Sequence, residues 1–172
     1  MFPELSRKTA RLPGKTLSTG AIFLLWSSAL IAVQTMPLPT FSVQTLDGQT
    51  VQNSSWPTQG KRLLIYVESP CQPCSTVLRT LTKQTYPHLA SRAIVVVGGL
   101  SPSDAGTLQK QFPDLAGAAW YADPAKNLSS SLKLQGAPVI FGIQDGMVRW
   151  SISGIPPDAK QFRSALNTWC TQ

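Results

Sequence analysis

The sequence is poor in the residues that most site chemistries draw on. It has one histidine and three cysteines in 172 residues, and charged side chains make up 13% of it. Without a Ser/His/Asp set, hydrolysis has little support, and no GxxxxGK loop is present to cradle phosphates. Three cysteines are too few for a disulfide scaffold. The 14 prolines and 12 glycines follow no repeat, and the composition as a whole excludes collagen, coiled coil and acidic linker. At 42% hydrophobic content, the chain has apolar material for one packed domain of ordinary size.

The net charge of +7 is unevenly placed. Arg7, Lys8, Arg11 and Lys15 stand against Glu4 ahead of Met36, so about half of the surplus belongs to the N-terminal segment. Beyond it, Lys61-Arg62 is the only adjacent basic pair. No basic stripe interleaved with aromatics is present, and nucleic acid is not an expected partner.

No charged side chain occurs between Lys15 and Asp47, and residues 20–33 form an apolar run. A basic lead followed by an apolar segment is the layout of a secretory signal or signal anchor. Spanning takes roughly 20 residues, which residues 17–36 supply. The best cleavage site, Leu30-Ile31-Ala32, has a large residue at its first position, which favours an anchor over a cleaved signal. A buried helix is the alternative, but it leaves the basic flank unexplained. The expected organisation is therefore 1–36, signal anchor or signal peptide, and 37–172, a folded domain outside the cytoplasm. Met36-Pro37-Leu38-Pro39 reads as a stiff extended exit, with the fold starting near Phe41.

Phe41 to Val51 reads as a short N-terminal β-hairpin turning at Asp47-Gly48. Residues 63–67 and 93–97 are continuous apolar runs of strand length, the pattern of central strands covered on both faces. Between them Cys74, Val77, Leu78 and Leu81 fall at helical spacing, completing a β-α-β unit. Ser101 to Asp104 opens a second helix, 118–121 is a strand, and 127–132 a short helix. An antiparallel hairpin with Asp145-Gly146 at its turn follows, spanning 139–152. The last helix starts after Asp158 and buries Phe162, Ala165, Leu166 and Trp169. The fold class is α/β, a central mixed β-sheet flanked by helices.

The informative feature is Ser69-Pro70-Cys71-Gln72-Pro73-Cys74, where a strand ends and a helix begins. Cysteines three apart across a first helical turn can bring their sulfurs to bonding distance, and the free N–H groups there favour a thiolate. Cys71 is the expected nucleophile. Pro73 suits a first helical turn, and Gln72 adds no charge between the thiols. A Cys71 thiolate can attack a substrate disulfide, and Cys74 then attacks Cys71 sulfur and releases the reduced substrate. Two other uses of the pair stay open: an inert structural disulfide, or a zinc site, which would need two further ligands from Cys170 and His88. Cys170 is read as a buried passive thiol or as a partner for an intermolecular disulfide. His88 is read as a surface or cap residue.

These features together resemble the thioredoxin-like thiol-disulfide oxidoreductases, most closely the membrane-anchored, envelope-facing TlpA/ResA type. The resemblance covers roughly Phe41 to Trp169. It rests on the first hairpin, the strand-CxxC-helix unit, Asp123-Pro124 before a short helix, Gly136-Ala137-Pro138-Val139, the Asp145-Gly146 hairpin and the closing helix. It implies a thioredoxin-like fold, a cis Pro138 against the active-site sulfurs, and pairing of the Ala137 backbone with an extended substrate. The plainer alternative for Pro138 is a strand-entry proline. The chain departs from the family pattern at Ser69-Pro70, where an aromatic is usual before the first cysteine. It also has Ile65 where thioredoxins bury an acid, and Ala137 where Thr, Val or Ile is usual. Glu68 is either a base for Cys74 or a solvated strand-end carboxylate.

The resulting expectation is an extracytoplasmic oxidoreductase of the cell envelope, anchored in the membrane and facing the periplasm. Its partners would be protein thiol and disulfide substrates and a membrane-bound electron donor, with no cofactor and no metal. Its role would be that of a reductase in cytochrome c or other metalloprotein maturation. The competing expectation is a thioredoxin-fold assembly or metal-escort module without turnover. A peroxiredoxin is disfavoured, because Glu68 stands where its loop would place threonine.

Overall fold

The computed structural model describes residues 35–57, 59–82 and 89–171. The expected anchor, apart from its last two residues, and His88 lie outside them. Eight strands form a single mixed sheet. In chain order they are β1 (Met36–Pro37), β2 (Ser42–Thr45), β3 (Thr50–Gln52), β4 (Lys61–Glu68), β5 (Ala93–Gly98), β6 (Ala119–Asp123), β7 (Val139–Gln144) and β8 (Met147–Ser153). Five helices accompany them: α1 (Gln72–Thr82), α2 (Leu89–Arg92), α3 (Pro102–Lys110), α4 (Asn127–Ser131) and α5 (Ala159–Thr171). The strand order is β1-β8-β7-β4-β5-β6-β2-β3. β4, β5 and β6 run parallel, and every other neighbouring pair is antiparallel.

The unbroken apolar runs occupy the middle of this sheet. Leu63 through Val67 are fully buried, as are Val95, Val96 and Val97. Side chains alternate across a strand, so β4 feeds two cores. Leu63, Ile65 and Val67 pack with Cys74, Val77, Leu78 and Leu81 of α1 and with Phe162 and Leu166 of α5. Leu64 and Tyr66 pack on the opposite face with Phe41, Trp56, Phe141 and Leu128. Each such side chain contributes roughly 1.5–3 kcal/mol by leaving water, so the sheet ends that carry the cysteines rest on a stiff base.

Local signals set the element ends. Ser101 accepts a hydrogen bond from Asp104 N and caps α3, with Pro102 at its first turn. Asp158 Oδ1 accepts from Lys160 N and Gln161 N at the start of α5. Asp145 (φ 52°) and Gly146 (φ 74°) are both left-handed, the pair that a tight β7–β8 turn requires. The antiparallel β2–β3 pair aligns Val43 with Val51 and turns through Asp47-Gly48.

One expectation is corrected. Met36 and Pro37 pair with Val148 and Met147 of β8, and Leu38 N donates to Gly146 O. The fold thus begins at least at Met36 rather than near Phe41. A proline at a sheet edge loses no interior ladder bond, so the segment read as a free exit forms the outermost strand. Among the described residues no helix is long and apolar enough to cross a membrane.

Candidate active site

β4 ends at Glu68, the chain turns through Ser69-Pro70, and α1 begins at Gln72. Cys71 therefore stands at the cap of α1, and Ser75 N donates to Cys71 O (3.1 Å) as the first helical bond. Cys71 and Cys74 are joined as a disulfide, S–S 2.06 Å and Cα–Cα 5.2 Å. Their environments differ: Cys74 is 2% exposed within the α1 core cluster, whereas Cys71 is half-buried and Gln72 and Pro73 lie in solvent. The backbone N–H of Cys74 also points at Cys71 Sγ across 3.1 Å. After reduction that donor sits where a Cys71 thiolate would carry its charge, and hydrogen bonds to a charged acceptor are the stronger kind.

The start of β7 closes the other side. The Ala137–Pro138 peptide is cis, Pro138 is buried, and Ala137 O lies 3.9 Å from Cys71 Sγ. Gly154 N donates to Pro138 O (2.8 Å), tying β7 to the end of β8. A groove of about 490 Å³ runs along this corner, lined by Lys133, Gln135, Gly136, Ala137, Pro138 and Gly154 among others. Ser69–Pro70 is a second cis peptide, for which the sequence carried no signal.

Glu68 occupies a third side. Its Oε1 accepts from Tyr66 Oη (2.9 Å) and its Oε2 from Lys126 Nζ (3.0 Å). The carboxylate is thus paired on both oxygens. Tyr66 belongs to the core on the face of β4 away from Cys74, and Glu68, two residues on, extends to the same side. Its backbone does not turn away, since Glu68 N lies 3.5 Å from Cys74 Sγ and donates toward it. Burial first, then the hydrogen bond to Glu68, pushes the Tyr66 phenol well above its ordinary pKa, against a lowering contribution from Ser129.

Lys126 arrives from the β6–α4 corner in a left-handed conformation, φ 54°. Asp123, fully buried at the end of β6, fixes that corner. Its carboxylate accepts from Asn127 N (2.8 Å) and Leu128 N (2.9 Å), and Lys126 N donates to its carbonyl. Ile65, six residues before Cys71, has no exposed surface and packs in the Cys74 cluster.

The structure thus brings Cys71, Cys74, Ala137 and Pro138 together, with Glu68 behind Cys74. Tyr66 and Lys126 were missed. A lysine with positive φ has no sequence signature, and its partner lies 58 residues away. Cys170 is buried in α5, 4% exposed, and burial raises its thiol pKa against a lowering influence from Arg92. Among the described residues no three His, Cys, Asp or Glu side chains gather as a metal site.

Comparison with solved structures finds the same fold. A candidate thiol:disulfide interchange protein DsbE from Chlorobium tepidum superposes with a TM-score of 0.61 at 23% identity, covering 79% of this chain and 94% of that one. A thiol:disulfide interchange protein from Bacteroides sp. gives 0.62 at 12% identity, covering 81% and 91%. A secreted Mycobacterium tuberculosis disulfide oxidoreductase homologous to E. coli DsbE gives 0.59 at 10% identity, covering 74% and 95%. The fold is thioredoxin-like, as the sequence resemblance implied. No family model and no curated protein matches the chain by sequence.

Proposed function

We propose that the chain is a thiol-disulfide oxidoreductase that exchanges disulfides with protein substrates through Cys71 and Cys74. The observation that carries this reading is the asymmetry of the pair. Cys71 is half-buried with a backbone N–H on its sulfur, while Cys74 is held beneath it in the core. A sulfur that is reachable and stabilised as a thiolate attacks, and a covered one beside it resolves. An inert structural disulfide needs neither the donor nor the exposure.

The steps follow from that arrangement. Cys71 thiolate attacks a substrate disulfide, displacing one substrate sulfur as a thiolate and forming a mixed disulfide. Cys74, deprotonated, then attacks Cys71 Sγ; the Cys71–Cys74 bond forms and the second substrate sulfur leaves with the electron pair. The substrate is reduced by two electrons and the pair is oxidised. Ala137, beside Cys71 Sγ, and Pro138 after it line the groove that would receive the substrate segment. Gln72 and Pro73, uncharged and exposed at the tip, leave that approach open. Glu68 offers its backbone N–H to Cys74 Sγ. No cofactor or metal takes part.

The finer reading is a reductase of the cell envelope acting in cytochrome c or other metalloprotein maturation. In it residues 1–36 anchor the domain to the membrane facing the periplasm, and a membrane-bound donor re-reduces the pair. The basic, then apolar N-terminal sequence supports it, as does the secreted oxidoreductase among the structural neighbours. Insulin reduction by wild type and by Cys71→Ser tests the enzymatic reading: equal rates sink it. The reduction potential tests direction, since a value near about −270 mV marks a reductant and one near about −120 mV an oxidant.

A further inference from the structure

The pair Lys126–Glu68 does little for stability. The lysine side chain is 48% exposed and the glutamate 29%, and solvent screens a pair as accessible as this. Lys126 nevertheless occupies a left-handed backbone conformation that L side chains rarely adopt, and its stem passes over Gly99 to reach Glu68. What the contact does is positional. Glu68 is gripped at its carboxylate by Lys126 and Tyr66, and the N–H of the same residue faces the sulfur of Cys74.

We propose that Lys126 is a positioning residue for the second thiol: its ion pair fixes and neutralises the carboxylate of Glu68, the residue whose N–H faces Cys74 Sγ, so that Cys74 can act as a thiolate when the ring closes. The inference rests on the oxidoreductase reading for its use in turnover. The geometry is independent of it. Ring closure needs Cys74 to lose its proton to solvent before its sulfur forms the bond to Cys71 Sγ and expels the substrate thiolate. Cys74 lies among apolar side chains, Ile65, Val67, Val77 and Leu78, which disfavour the charged form. Among the described residues the titratable groups around it are Cys71 at the cap of α1, Glu68 and, beyond it, Tyr66 of β4, and Lys126 and Asp123 of the β6–α4 corner; α3 and α5 present Ala105, Phe162 and Leu166. Lys126 is the cation of that set.

The test measures how fast iodoacetamide alkylates Cys74 against pH, read by mass spectrometry in the full-length chain carrying Cys71→Ser, with Cys170 as the internal reference. Lys126→Gly suits φ 54°, so misfolding is not its expected effect. It is expected to lower the Cys74 thiolate fraction at neutral pH about threefold, within the weight of a solvent-accessible ion pair. Lys126→Arg keeps the parent profile. An unchanged profile in Lys126→Gly, or an equal shift in Lys126→Arg, overturns the inference. In the chain with both cysteines, Lys126→Gly is also expected to slow closure of the glutathione mixed disulfide about threefold at pH 7 and less at higher pH. A wild type that exchanges no disulfide sinks the oxidoreductase reading instead, and the alkylation profile still decides the role of Lys126.

Discussion

The hydroxyl of Tyr66 fills the space where a side chain on Gly98 would stand, so that a Cβ at that position would collide with Tyr66 Oη. The two residues sit on neighbouring strands, β4 and β5, near the ends that carry the site. Gly98→Ala therefore forces the phenol off Glu68 or parts the strands. The expected cost is about 1–3 kcal/mol, the range for overpacking a close-fitted core, seen as a lower urea midpoint. A midpoint equal to wild type would show that the tyrosine has room to move.

The two cysteines are expected to fail differently. Cys71→Ser removes the attacking sulfur, and insulin reduction falls to background. Cys74→Ser leaves the attack intact and removes the exit, so the variant accumulates as a covalent adduct with its substrate in roughly stoichiometric amount. Non-reducing electrophoresis distinguishes them, and an adduct trapped equally well by both variants would place the nucleophile elsewhere.

The parts of the fold that follow from periodicity were legible in the sequence. The runs at β4 and β5 can be buried only on both faces, and Cys74, Val77, Leu78 and Leu81 define one helical stripe against them. Cys71 and Ala137 meet because β4 and β7 are antiparallel neighbours, with Tyr66 opposite Val139, so the end of β4 and the start of β7 lie at the same end of the sheet. β1 was not legible: two residues have no period, and their partner strand lies at the far end of the chain. The role of Lys126 was hidden for a similar reason. It depends on one left-handed backbone angle at a corner set by buried Asp123, and neither feature leaves a pattern in composition.

Lys133 ends α4 as Lys126 begins it, again with positive φ (52°). Leu134 N donates to Ser129 O and Lys133 N to Ser130 O, a helix terminus in which glycine is the favoured left-handed residue. Lys133→Gly is expected to raise stability by about 0.5–1 kcal/mol, measured by urea denaturation. Lys133 also lines the groove beside Pro138, so the same variant asks whether its charge guides substrates. A larger loss of rate, relative to wild type, with acidic peptides than with neutral ones is the expected sign of that.

Tyr66 makes the alkaline limb of stability a test of its burial. Its pKa is raised in the fold, by burial first and by Glu68 second, so the native state holds the phenolic proton more tightly than the unfolded chain does. The sign follows from linkage: the contribution is fully present below the unfolded value of about 10, and it drains away as pH climbs from there toward the folded value. Tyr66→Phe lacks this contribution at every pH. It also loses the bond to Glu68, and at pH 8 it should be the less stable protein. Between pH 9 and pH 11.5 its urea midpoint should fall less steeply than that of wild type, so that the two curves converge. Parallel curves over that interval would mean that the phenol ionises in the fold as readily as in water, which the enclosure of Tyr66 by Gly98, Glu68 and the surrounding core does not permit.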